Sequence, residues 1–238
     1  MDHIKEIRKN ERKSHIAAYS SSALYQSSGW LQKPVKTVLE LFPYFDKAER
    51  LTVLDLGCGI GRNAIPIAQH FSSISCSVIC VDILDLAIEK LKENAAQFHV
   101  SSQIHTVLSS IEDFIISRDQ YDLVLSVSAL EHIDSEEHFA EKLKEIEQCV
   151  RPGGMVCYII NTEVTEENAL TGLPLPPQFE VNIPTQKLMQ LLDTTYQRWE
   201  ITKNTVRPQE YEIPRGSIIS KLHTNVVTFV AKKQATDG

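Results

Sequence analysis

The chain has 238 residues, 42% of them hydrophobic and 23% charged, and its 24 Lys and Arg against 31 Asp and Glu leave a formal charge of −7. This composition excludes a wholly disordered or fibrous chain, and the acid surplus speaks against a general nucleic-acid binder, which needs a basic face. No apolar run is long enough to span a membrane, and the charged opening Met1-Asp2-His3-Ile4-Lys5-Glu6 lacks the apolar stretch of a secretory signal, so a cytoplasmic protein without a membrane partner is expected.

In chain order, a helix is expected from Pro34, with Val35, Val38, Leu39 and Phe42 at helical spacing. Leu51 to Leu56 reads as a short apolar strand, Asn63 to Phe71 as a helix, and Ser77 to Ile83 as a second strand. Leu84 to Phe98 places Ala87, Ile88, Leu91 and Ala95 on one helical face. Ile104 to Leu108 and Tyr121 to Val127 are further strands. The next helix carries a capping box, Asp134 with Glu137, and Pro152-Gly153-Gly154 is expected to stop it before a strand at Met155 to Ile160. Thr162 to Pro184, with four prolines, reads as a long loop; a helix from Thr185 to about Tyr196 and strands near Trp199–Val206 and Val226–Ala231 complete the chain. Apolar strands alternating with amphipathic helices imply a doubly wound α/β domain. The five cysteines (Cys58, Cys76, Cys80, Cys149, Cys157) are irregularly spaced with no C-x-x-C pair, which implies reduced thiols and no metal site.

The chain has nine glycines, yet Gly57, Gly59 and Gly61 fall within five residues, in Asp55-Leu56-Gly57-Cys58-Gly59-Ile60-Gly61-Arg62-Asn63, between the first strand and its helix. In a doubly wound sheet a ligand approaches here, and residues without side chains let it press against the backbone. The second strand ends at Asp82, where a carboxylate can accept both hydroxyls of a ribose. A dinucleotide fingerprint would read G-x-G-x-x-G; the spacing here is G-x-G-x-G, preceded by Asp55, an acid that repels a pyrophosphate but attracts a cationic ligand. S-adenosylmethionine joins a ribose to an ammonium and a sulfonium.

Asp55 to Gly61, Val81-Asp82-Ile83, Tyr121 to His132 and Arg151 to Gly154 resemble the successive motifs of class I S-adenosylmethionine-dependent methyltransferases, over about residues 50 to 160. Gly61-Arg62-Asn63 is also similar to small-molecule methyltransferases of the tellurite-resistance type. The resemblance implies a Rossmann-like, mostly parallel seven-stranded sheet with an antiparallel last strand and helices on both faces. It divides a single domain into an N-terminal helical extension or lid (1–48), a donor-binding core (49–160) and a C-terminal substrate-side half (161–238). It further implies that Gly57, Cys58, Gly59 and Gly61 lie against the donor, that Asp55 sits near its amino-acid end, and that Asp82 holds the ribose and Ile83 covers an adenine face. Ser110 stands where the family usually has an Asp for the adenine amine, so that its hydroxyl or the Ile111 backbone takes that contact. Ser126 presents backbone atoms near the methionine part, and Arg62 and Asn63 either orient bound groups or begin a helix.

Methyl transfer is an in-line displacement that needs alignment more than a base. Glu131 and His132 follow the fourth strand, where the methyl would point; His132 is the candidate acceptor-side base, or else a helix-entry residue that packs. Tyr19, Tyr25 and Trp30 are candidates for an aromatic lid over a substrate, or for simple helix packing. Asn161, Glu163, Glu180, Asn182, Tyr211 and Arg215 offer polar groups for recognition. The expected activity is methyl transfer to a small-molecule acceptor; the alternatives are a protein or nucleic-acid methyltransferase and a non-catalytic donor-binding protein. The sequence leaves the oligomeric state open.

Overall fold

The short apolar runs become strands because each is covered on both faces. In the computed structural model, which describes residues 2–21, 23–26, 30–216 and 218–235, β1 (Arg50–Leu56), β2 (Ser75–Asp82), β3 (Ile104–Leu108), β4 (Tyr121–Val127) and β5 (Val150–Asn168) lie parallel in the order β3-β2-β1-β4-β5. β8 (Ile218–Lys233) runs antiparallel to β5, and β7 (Trp199–Arg215) forms the edge, antiparallel to β8. A two-residue strand, β6 (Pro174–Leu175), pairs with the outer part of β5 and makes the eighth. The Rossmann-like, mostly parallel sheet is therefore present, with one short strand beyond the expected seven.

Successive residues of a strand point to opposite faces, and the two faces build two cores. Leu51 and Val53 pack with Val78 and Leu123 beneath Val38 of α2 (Lys36–Leu39), Ile65 of α3 (Ala64–His70) and Leu91 of α4 (Asp85–Gln97). Leu54 and Leu56 pack with Val124 and Val156 beneath α5 (Glu136–Cys149) and α6 (Thr185–Thr195). A further helix, α1 (Asp2–Ser21), packs against α4 and buries Ile7 and Tyr19. None of the described helices is long and apolar enough to cross a membrane.

Several expected boundaries move. The helix after Pro34 lasts only from Lys36 to Leu39 before a 3-10 turn at Phe42–Tyr44, because Pro43 has no N–H to continue an α-helix. α5 is capped by Ser135, whose hydroxyl accepts from the His138 N–H at 3.2 Å, while Asp134 instead meets the His138 ring at 2.5 Å. Pro152-Gly153-Gly154 lies inside β5 rather than ending the helix, and a shift of register opposite Tyr121 and Leu123 absorbs it.

The largest difference lies beyond residue 160. The expected loop does not begin at Thr162: β5 continues to Asn168, and both β7 and β8 run well past their expected ends. Together they form a three-stranded antiparallel ribbon projecting from the sheet, with Thr162 paired to Asn225, Asn168 to Ser220 and Arg215 to Ile218. Backbone pairing rather than an apolar run makes these residues strands.

Candidate active site

The turn after β1 is tied to β2 by its own backbone. The N–H groups of Gly57 and Cys58 both donate to the Val81 carbonyl, at 2.8 and 3.0 Å. One Asp82 oxygen accepts from Gly59 N at 2.8 Å and the other from Leu84 N at 2.9 Å, so this carboxylate fixes the turn and the entry to α4 together. The three glycines are not equivalent. A Cβ on Gly57 would lie 2.2 Å from the Ala129 Cβ, and one on Gly61 would lie 2.4 Å from Leu91 Cδ1, so these two serve close packing. A Cβ on Gly59 would meet the Tyr19 hydroxyl at 2.9 Å. Tyr19 of α1 therefore covers the turn; burial first, and then the Asp82 charge, hold its phenol well above the usual range.

Asp55 sits at the end of β1, 1% exposed, with Oδ2 lacking any partner. Burial, and then the neighbouring Asp82, push its carboxyl up to about 7. Two buried carboxylates and one orphaned oxygen lie together here, an arrangement that a ligand's cation would stabilise.

The segment before β1 is fastened over this end. The Tyr25 hydroxyl donates to the Arg62 carbonyl at 2.7 Å, Arg62 Nε donates to the Lys33 carbonyl at 2.7 Å, and the Asn63 side-chain oxygen accepts from Val35 N at 3.1 Å. Arg62 and Asn63 thus hold the preceding segment. Trp30 begins a 3-10 turn, but its side chain lies outside the described residues.

At the carboxyl end of β4 the chain turns through Leu130–His132. Glu131 is 1% exposed; its Oε1 accepts from Asn161 Nδ2 at 2.6 Å and Asn161 N at 3.2 Å, and its Oε2 has no partner. The His132 ring stacks on Phe179, with centroids 5.1 Å apart, and its Nδ1 meets Glu180 Oε2 at 2.8 Å. Burial works against the charged imidazole, but the Glu180 bond and the Glu131, Glu180 and Glu11 charges outweigh it and lift the ring to about 9. Arg8 of α1 reaches into the same place, donating to Glu112, to Glu180 Oε1 at 3.3 Å and to the His132 carbonyl at 3.5 Å. From the ribbon, Arg215 donates to Glu11 at 2.8 Å and Glu166 at 2.9 Å.

A sequence model of the methyltransferase-domain family matches residues 53–154, the stretch containing the glycine turn, Asp82 and the Glu131-His132 turn. Residues 53–154 are a class I S-adenosylmethionine-dependent methyltransferase domain. Among curated proteins, the chain is 30% identical over 113 residues to a ubiquinone biosynthesis O-methyltransferase of Rickettsia akari, covering 48% of this chain and 40% of that protein. It is 25% identical over 107 residues to a tRNA N(3)-cytidine methyltransferase of Mus musculus, covering 44% and 27%. Each match thus spans less than half of the curated relative. Among solved structures, TehB from Haemophilus influenzae shares the fold, with a TM-score of 0.59 and 21% identity over 82% of this chain and 62% of that one.

In the methyltransferase domain the residues at the turn fit the family's donor. The partnerless Asp55 oxygen matches an ammonium, and Ile83 is 46% exposed although it follows a buried strand. Other expected donor contacts are engaged within the protein. The Ser110 hydroxyl donates to Asp113 at 2.7 Å, the Ser126 hydroxyl donates to the Leu56 carbonyl at 3.2 Å, and the Cys58 thiol turns onto the Gly59 carbonyl. Ile111 is buried beside Gly57, its Cδ1 at 4.0 Å from where a Cβ would stand. Among the described residues no group of His, Cys, Asp and Glu is placed to hold a metal ion. The ion pairs formed by Arg8, Glu11, Glu112 and Glu166 carry no local sequence signal: Arg8 and Glu180 are 172 residues apart.

Proposed function

We propose that this chain transfers a methyl group from S-adenosylmethionine to a small-molecule acceptor. The observation that carries the reading is enclosure. Asp55 and Glu131 are each 1% exposed with an orphaned oxygen, Tyr19 of α1 lies over the glycine turn, and α1 is tied across the Glu131-His132 side by the Arg8–Glu180 and Glu11–Arg215 pairs. A polymer acceptor needs an open approach, whereas a metabolite can be surrounded. Bound there, the donor supplies a methyl carbon already activated by a sulfonium, so the protein's task is to align and to exclude water. Asp55 and Asp82 hold the donor's ammonium and ribose, and Tyr19 and Tyr25, on a segment that acts as a lid, close over the two ends. Buried free thiols agree with a reducing, cytoplasmic setting.

Calorimetric titration with S-adenosylmethionine and with NAD in parallel tests the donor site: only the former is expected to bind. Efficient methylation of bulk tRNA, rather than of metabolites, would defeat the small-molecule reading.

His132 is the proposed base, held by Glu180 through Nδ1 and buttressed by Phe179, with Nε2 directed at the acceptor. A ring that titrates at about 9 is cationic at neutral pH, with roughly one molecule in a hundred neutral at pH 7. Turnover of the wild type should therefore rise close to tenfold per pH unit up to about 9 and then level off. His132→Ala should fall about a hundredfold and lose that rise, with donor affinity unchanged. A variant that keeps the wild-type pH profile removes His132 from the chemistry.

A further inference from the structure

Every cation of the acceptor-side network is already engaged. Arg8 is held by Glu112 and Glu180, Arg215 by Glu11 and Glu166, and His132 by Glu180. Even His15 stands at 3.4 Å from Glu11. Four carboxylates thus share these cations; Glu131 makes none of these ion pairs, although its charge helps to hold the His132 ring protonated. Its two oxygens have separate fates. The backbone N–H and the side-chain amide of Asn161 both donate to Oε1, which fixes the orientation of the carboxyl and leaves Oε2 buried without a donor.

Glu131 lies on the turn after β4, next to His132, and that turn is held by Asn161 of β5 and by the Val181 N–H, which donates to the Glu131 carbonyl. Glu131 therefore stands beside the proposed base, where an acceptor would reside. A buried carboxylate oxygen without a partner costs free energy, and a cation with N–H donors recovers it. An anionic acceptor would have to displace Glu112, Glu166 or Glu180 from an existing pair.

We infer that Glu131 is the acceptor-recognition residue and that the acceptor carries a protonated amine, which donates to Glu131 Oε2. The inference rests on the methyl-transfer reading and narrows its substrate class. Asn161 is the positioning residue for that carboxylate.

The test uses the full chain saturated with S-adenosylhomocysteine and a graded series of alkyl and arylalkyl amines, each matched with its isosteric alcohol and carboxylate. Calorimetry should show amines binding at least tenfold more tightly than their alcohols. In Glu131→Gln that preference should vanish. Gln keeps the oxygen that Asn161 needs, so the unfolding temperature and the affinity for S-adenosylhomocysteine should stay at wild-type values and separate lost recognition from lost folding. Absence of an amine preference in the wild type, or its persistence in Glu131→Gln, overturns the inference while leaving methyl transfer standing. Failure of S-adenosylhomocysteine itself to bind would sink the methyl-transfer reading and this inference with it.

Discussion

Gly57→Ala should cost about 3 kcal/mol or more of stability, from two sources that add. The residue sits at φ +74, a left-handed conformation that costs an L side chain about 1–2 kcal/mol. Its new methyl would also lie 2.2 Å from the Ala129 Cβ, well inside van der Waals contact, with backbone rather than a swinging side chain behind it. Moving Ala129 means moving the turn that carries Glu131 and His132, so donor and acceptor sides would be disturbed at once. Gly59→Ala is the control. Its φ of +52 costs a similar strain, but the nearest atom is the Tyr19 hydroxyl at 2.9 Å, at the tip of a side chain on another element. That variant should remain folded, within about 2 kcal/mol of wild type. Urea unfolding of the two proteins decides the matter: equal losses would mean that the Ala129 contact yields easily and that packing is not why Gly57 lacks a side chain.

Asp82→Ala should weaken S-adenosylmethionine at least tenfold and destabilise the free protein as well. The carboxylate holds Gly59 N and Leu84 N, so its removal leaves two backbone donors without partners and loosens the turn against β2. Hydrogen bonds to a charged acceptor contribute about 1.5–3 kcal/mol each; burial opposes the charge here, so a net loss of about 2–3 kcal/mol is expected. Asp82→Asn separates the two roles. It retains an acceptor for one N–H and most of the stability, but it lacks the charge for the ribose hydroxyls, so donor affinity should still fall. Calorimetry on both variants, each confirmed as folded, is the measurement. An Asp82→Ala protein that binds the donor as tightly as wild type would leave this carboxylate with a purely architectural role.

The central half of the fold was legible because its signals are local. β3 and β4 occupy the residues their apolar runs indicate, and the glycine turn with Asp82 stands at adjacent strand ends, Leu56 beside Val81. The ribbon was not legible, for a physical reason. At the buried positions of outer β5, Val164 is followed by Glu166, a carboxylate stabilised by Arg215 49 residues away, so the apolar alternation that marks a half-buried strand is broken. In outer β7, Pro208-Gln209-Glu210-Tyr211 is polar and exposed and is held by pairing to β8 alone. The same holds for the site. Asp55 and Glu131 stood out in sequence, whereas the pairing that leaves one oxygen of Glu131 bare depends on Asn161, 30 residues away in the chain. Arg62 and Asn63 matched a motif, yet their side chains bind Lys33 and Val35.

β5 runs from its pair with Tyr121 to its last pair with Ser220, offset by a bulge between Thr162 and Thr165, so a single length of backbone serves as a common girder for both halves of the molecule. Its ladder with β8 continues on both sides of that bulge, whereas α1 meets this wall through the Arg8 and Arg215 ion pairs, which water can replace. Ligands are therefore expected to enter and leave on the α1 side while the rear wall keeps its shape.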